Sequence, residues 1–228
     1  HILDLNQTIN KLDESLRALK KIAKTGRRIL FVATKKQAKD IVAEKVKKTN
    51  MPYITERWPG GLLTNFVTIR KAVKKMDTID KMNEDGTIDT LSKRERLQIS
   101  RTREKLERNL GSISKMNRIP SAIFVVDINK EKIAVAEAKK LNIPCFAMVD
   151  TNSDPNLVEF PIPSNDDATK SIECIVEILT AAVAEGLEEK NKADEQKAME
   201  NAKKIKAKKE KQEKEARQVK EEASKTEK

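Results

Sequence analysis

Arg28-Ile29-Leu30-Phe31-Val32-Ala33-Thr34 decides the fold. A strand with one wet face alternates apolar and polar residues, whereas Ile29 to Ala33 is apolar throughout. Such a run reads as a strand buried on both faces, as in a parallel sheet covered by helices. Ser121 to Asp127 (SAIFVVD) and Pro144 to Asp150 (PCFAMVD) repeat the pattern. Met51 to Thr55, with Pro52 at its start, and Glu159 to Ile162 read as two shorter strands.

Helical patterns lie between these runs. Leu5, Ile9, Leu12, Leu16, Leu19 and Ile22 recur at three- and four-residue steps from Leu5 to Lys24, and Gly26 stops that helix. Lys35 to Thr49 turns Ala38, Ile41, Val42 and Val46 inward, and Lys130 to Leu141 and Ala168 to Gly186 follow. Alternating strands and helices imply an α/β domain, a mostly parallel sheet between two helical layers. Its segments are residues 1–65 and 112–186.

Residues 66–111 interrupt the alternation. Phe66 to Met82 carries a stripe at Phe66, Ile69, Val73, Met76 and Ile79; Asn83-Glu84-Asp85-Gly86 breaks it. Ser92 to Gly111 is helical again, with Ser92 and Glu95 at capping-box spacing and a thin stripe at Ile99, Thr102, Leu106 and Leu110. Two narrow stripes joined by a turn predict a projecting antiparallel coiled-coil hairpin. Beyond Leu187 almost every residue is Lys, Glu, Ala, Gln or Asn, so 187–228 is expected to be a polar helix or disordered.

The 228 residues carry a net charge of +11. Residues 1–65 sum to +8, 66–111 to +4 and 112–186 to −4, so the basic surface belongs to the first half. That asymmetry points to a polyanion, nucleic acid before membrane. No apolar run is long enough to span a bilayer and no secretory leader opens the sequence, so a cytoplasmic protein is expected. Nucleotide chemistry lacks its motif: the turn after the first strand, Ala33-Thr34-Lys35-Lys36, holds no glycine to let a phosphate approach. Asp127 and Asp150 end strands where Mg²⁺ could bind, but carboxylates there more often cap a turn. The one histidine is His1, and Cys145 and Cys174 fall in apolar segments, which leaves no acid–base or nucleophilic set. No metal, cofactor or small-molecule substrate is expected.

The basic residues are the candidate site. Lys35 and Lys36 open a helix, whose free N–H groups suit a phosphate. Arg57 and Trp58 adjoin Pro59-Gly60-Gly61, where Trp58 either stacks on a base or anchors the core. Asn65 is offered with them, and Thr64 or Asn65 caps the next helix. On the hairpin, Arg70, Lys74, Arg94, Arg101, Arg103 and Arg108 lie mostly off the apolar stripe, either free for phosphates or held in intrahelical pairs such as Glu104–Arg108.

Seven stretches resemble the universal small-subunit ribosomal protein two family in its bacterial form. They are Ile29–Lys35, Arg57–Asn65, Asp85-Gly86-Thr87, Pro120–Asp127, Asn142-Ile143-Pro144, Asp150–Pro155 and Ile162–Ala168. The resemblance implies a flavodoxin-like body interrupted by a coiled-coil hairpin. It implies a non-enzymatic protein of the small (30S) subunit that binds 16S ribosomal RNA and helps to seat neighbours, including the multi-OB ribosomal protein one. The His-Phe-Gly-His-like and Trp-Asn-Pro-like pieces usual in the family are absent before His1, so their contacts fall on no residue here. Two rival readings stand beside this one: a nucleotide- or metal-dependent α/β enzyme using Asp127 and Asp150, and a protein-interaction scaffold whose hairpin and tail dock partners.

Overall fold

A computed structural model describes the backbone of residues 2–226 and the side chains of 2–196 and Met199. The chain divides into two compact units, residues 1–187 and 188–228. The first unit is built on five parallel strands: β1 (Ile29–Val32), β2 (Tyr53–Ile54), β3 (Ala122–Val126), β4 (Cys145–Val149) and β5 (Phe160–Pro163), in the order β2-β1-β3-β4-β5. Leu30 pairs with Ile123, Ile123 with Cys145, and Phe146 with Phe160, which fixes the register across the sheet.

Both faces of the central strands are covered, which is why their sequences do not alternate. Ile29, Phe31, Phe124, Val126, Phe146 and Met148 point to one side. They meet α1 (Leu5–Lys24), α2 (Lys36–Lys47) and α6 (Thr169–Thr226) through Leu19, Val42, Val46, Ile172, Val176 and Leu179. Leu30, Val32, Ile123, Val125 and Ala147 point to the other side. There α5 (Lys132–Lys140) packs on the sheet, with Trp58, Leu62 and Leu63 of the loop after β2 and Ile113 and Met116 before β3 buried in the same cluster.

The interruption forms α3 (Phe66–Glu84) and α4 (Lys93–Leu110), joined through Gly86 at φ +69 and a single 3-10 turn at Thr87–Thr90. Gly86 takes the left-handed conformation that turns the chain back. The two helices run antiparallel, and Arg103 Nε of α4 donates to Asp80 Oδ1 of α3 at 2.8 Å. The base packs on the core through Val73 and Leu110, with Phe66, Ile69 and Leu106 at its margin. The expected capping box is present: Ser92 Oγ accepts from the Glu95 N–H, and the Glu95 carboxylate accepts from Ser92.

The stripe of α1 is apolar along its length but packs on the core only from Leu12 onward. Leu19 is buried, whereas Leu5 and Ile9 are 73% and 56% exposed. Periodicity shows which side of a helix is apolar, not how far its neighbour reaches. The strand predicted at 51–55 is two residues long. The backbone of α6 continues helical to Thr226, so the helix expected to end at Gly186 does not end there. Most side chains of the predicted tail lie outside the described residues. Gly186 permits α6 to approach α1, since a Cβ there would stand 2.7 Å from the Lys20 carbonyl oxygen. Among the described residues no helix is long and apolar enough to cross a membrane.

Candidate nucleic-acid interface

The loop that follows β2 is held by one carboxylate. Glu137, on the buried side of α5 between Ala134 and Ala138, accepts five hydrogen bonds from it. The donors are Trp58 Nε1 at 3.1 Å, the N–H groups of Gly61, Leu63 and Thr64 at 2.7, 2.9 and 3.0 Å, and the Thr64 hydroxyl at 3.1 Å. Burial pushes the Glu137 carboxyl up, but these donors outweigh it and hold the group below the usual glutamate range. Gly61, at φ +84, lets its N–H face the carboxylate. Sequence reading missed Glu137. Its one signal is a charge on the face of α5 that Ala134, Val135 and Ala138 mark as inward.

This geometry corrects Trp58. Its ring is 6% exposed and its only donor already has a buried acceptor, so it anchors the loop to the core and offers no face to a base. Asn65 occupies the N-cap position of α3 without a capping bond: its Oδ1 accepts from the Thr68 hydroxyl instead. Neither Thr64 nor Asn65 caps that helix through its side chain; Thr64 is engaged with Glu137.

Lys35 also differs from expectation. At 13% side-chain exposure, its Nζ lies 2.6 Å from Asp166, 2.6 Å from Asp167 and 3.3 Å from Asp127. Burial lowers the Lys35 pKa, but the bonds to Asp166 and Asp167 outweigh it and leave the ammonium above the usual lysine range. Its charge is neutralised within the fold, at the carboxyl end of β1 and β3, and is not available to a phosphate. Asp150 joins Asp166 and Asp167 there, with carboxylate oxygens within 4.8 Å of one another. Burial raises the Asp166 carboxyl despite Lys35, and the nearby Asp127 and Asp150 push the same way. Glu131, raised by burial, accepts from the Thr34 hydroxyl and N–H. Asp127 caps its own turn through the N–H groups of Asn129 and Lys130, the structural role that its place in the sequence suggested.

The hairpin cations fall into two groups. Arg70 donates to the carbonyls of Ser114 and Met116, bracing the hairpin base, and Arg103 is paired with Asp80 and Glu107. Lys74, Arg94, Arg101 and Arg108 are exposed and, among the described residues, paired with no carboxylate. The Glu104–Arg108 pair does not form; Glu104 accepts from Ser100 instead. Arg94, Arg101 and Lys105 recur on one side of α4 and line an open groove of about 670 Å³ with Pro59, Ile69 and Leu106. The structure thus brings the hairpin row beside the loop that carries Arg57, which is exposed, while Lys36 stands apart at the start of α2.

The chain matches the family of ribosomal protein S2 over residues 1–186. Three similar proteins are each named small ribosomal subunit protein uS2. That of Flavobacterium johnsoniae is 65% identical over 89% of this chain and 80% of its own length. That of Flavobacterium psychrophilum is 69% identical over 82% of this chain and 70% of its own length. That of Phocaeicola vulgatus is 64% identical over 90% of this chain and 74% of its own length. With the parallel α/β body and the free cations of α4 in place, the chain belongs to the ribosomal protein S2 family, whose members are structural, non-enzymatic constituents of the small ribosomal subunit.

Proposed function

We propose that this protein attaches to 16S ribosomal RNA through the phosphate backbone and helps to seat neighbouring small-subunit proteins, the multi-OB ribosomal protein one among them. The observation that supports this is the row Arg94, Arg101, Lys105 and Arg108, exposed on α4 and left without ion pairs among the described residues. Cations that answer no carboxylate in their own chain suit phosphates, and each phosphate they neutralise releases counterions. Arg57, Lys36 and Lys74 extend the same chemistry. Contacts of this kind position a protein by shape and charge and read little sequence. Residues 66–111 act as an inserted arm on the body formed by 1–65 and 112–186, with 187–228 as an appended segment.

Sucrose-gradient sedimentation of a lysate expressing the Arg101→Glu/Arg108→Glu variant tests the reading. The unaltered chain co-migrates with the small subunit at moderate salt, and the variant shifts toward the top of the gradient with an unchanged melting temperature. Equal occupancy of both chains in subunits would refute the hairpin's role. Retention of partner proteins after nuclease treatment would favour the scaffold reading.

A further inference from the structure

The amino end of the sheet gathers four cations around one concavity. Arg27 and Arg28 lead into β1, and Lys115, Asn117 and Arg118 lie in the segment that leads into β3. Because β1 and β3 are parallel neighbours, these two approaches run side by side, fastened by the Ser121 N–H donating to the Arg28 carbonyl at 2.9 Å. Together with Gly26, Ile119 and Ser121 they enclose a pocket of about 470 Å³. No carboxylate lines it. Arg28 donates to the Asn50 carbonyl, which fixes its guanidinium at the rim. Arg27, Lys115 and Arg118 are exposed and without an ion pair among the described residues.

Helix ends place further lysines here, Lys21 and Lys24 of α1, Lys47 of α2, and Lys139 and Lys140 of α5. A lysine at a helix C-terminus complements the dipole and needs no ligand to explain it. The four pocket cations lie outside any helix, so the dipole does not account for them. They repel one another around a concavity that also offers the amide of Asn117 and the hydroxyl of Ser121. Guanidinium forks match phosphate oxygens two at a time. Ile119 is the sole apolar side chain lining the pocket, too little to seat it in a bilayer. The chain also runs from Arg108 at the hairpin's foot through Lys115 to Arg118, so one short segment links the two sets of cations.

We propose that this pocket is a second contact for the RNA phosphodiester backbone, made by Arg27, Arg28, Lys115 and Arg118. The proposal rests on the RNA-binding reading above and adds a further contact to it at the amino end of the sheet.

The test uses the full chain and a fluorescein-labelled 16S rRNA transcript, with affinity followed by anisotropy across a range of KCl concentrations. The Lys115→Glu/Arg118→Glu variant is expected to bind about tenfold more weakly at low salt, with the slope of log affinity against log salt reduced by about two. The milder Lys115→Gln/Arg118→Gln variant is expected to show about half that weakening, and melting curves confirm that both fold. Unaltered affinity and slope in the pocket variants, beside weakened binding by Arg94→Glu/Arg101→Glu, would overturn the pocket while leaving RNA binding by the hairpin intact. Failure of the unaltered chain to bind the transcript would overturn both. Pocket-dependent adhesion to phosphatidylserine vesicles with RNA affinity unmoved would overturn the pocket's assignment in favour of a membrane.

Discussion

At the carboxyl end of the sheet Lys35 faces Asp127, Asp166 and Asp167, while at the amino end Arg27, Lys115 and Arg118 face no carboxylate among the described residues. The same residue types do different work in the two places. A cation enclosed by carboxylates fixes loops to one another and belongs to the fold. A cation with no partner in its own chain is available to an external anion. Net charge alone, +11 for the whole chain, does not separate the two.

The contrast is broken most severely at Glu137. Glu137→Ala strands four buried or half-buried N–H donors and a hydroxyl, and a loss of about 3–5 kcal/mol in unfolding free energy is expected by urea denaturation. Stability equal to that of the unaltered chain would mean that the loop is held by packing alone. Lys35→Met comes next. It leaves Asp166, 1% exposed, beside Asp127 and Asp150 without a cation, and about 2–3 kcal/mol is expected to be lost. If the same variant retained full stability but lost RNA affinity, Lys35 would belong with the free cations and the contrast would fail.

Acid sharpens the comparison. Glu137 binds protons less readily folded than unfolded, so its contribution is complete above the unfolded glutamate pKa of about 4.3 and fades as pH falls through the lower folded value. Glu131 and Asp166, raised by burial, act in the opposite sense: stability due to them declines as pH climbs from the ordinary carboxylate range through their folded values. Urea midpoints of Glu137→Gln between pH 3 and 6 are therefore expected to fall less steeply with acid than those of the unaltered chain. A parallel fall would exclude Glu137 as the source. The smallest effect belongs to Arg103→Ala. Its pair with Asp80 is exposed, and the melting temperature should not move. A clear drop would show that this pair, rather than the apolar stripe, holds α3 to α4.

The layered α/β body was legible in the sequence because an unbroken apolar strand has one common explanation, burial on both faces. The hairpin's two helices and the capping box at Ser92 were legible for a similar reason, since each rests on local spacing. The site was legible only in part. Lys35, Arg70 and Arg103 look like Lys36, Arg94 and Arg101 in the sequence. What separates them is Asp166, 131 positions from Lys35, or a carbonyl at Ser114, 44 positions from Arg70. Partners that distant are set by topology and leave no spacing to read. Trp58 and Glu137, 79 positions apart, were hidden in the same way. Arg27, Arg28, Lys115 and Arg118 went unremarked because only the parallel pairing of β1 with β3 gathers them.

The borders of the sheet have a consequence for the protein before it joins a small subunit. Strand β5 reads Phe160-Pro161-Ile162-Pro163, and each proline lacks the N–H that an incoming strand would need. Strand β2, at the opposite border, is two residues long and follows Pro52. Neither rim is a template on which a second molecule could extend the ladder. A freshly made copy, with its backbone borders blunted in this way, resists edge-to-edge polymerisation until it is taken into a subunit.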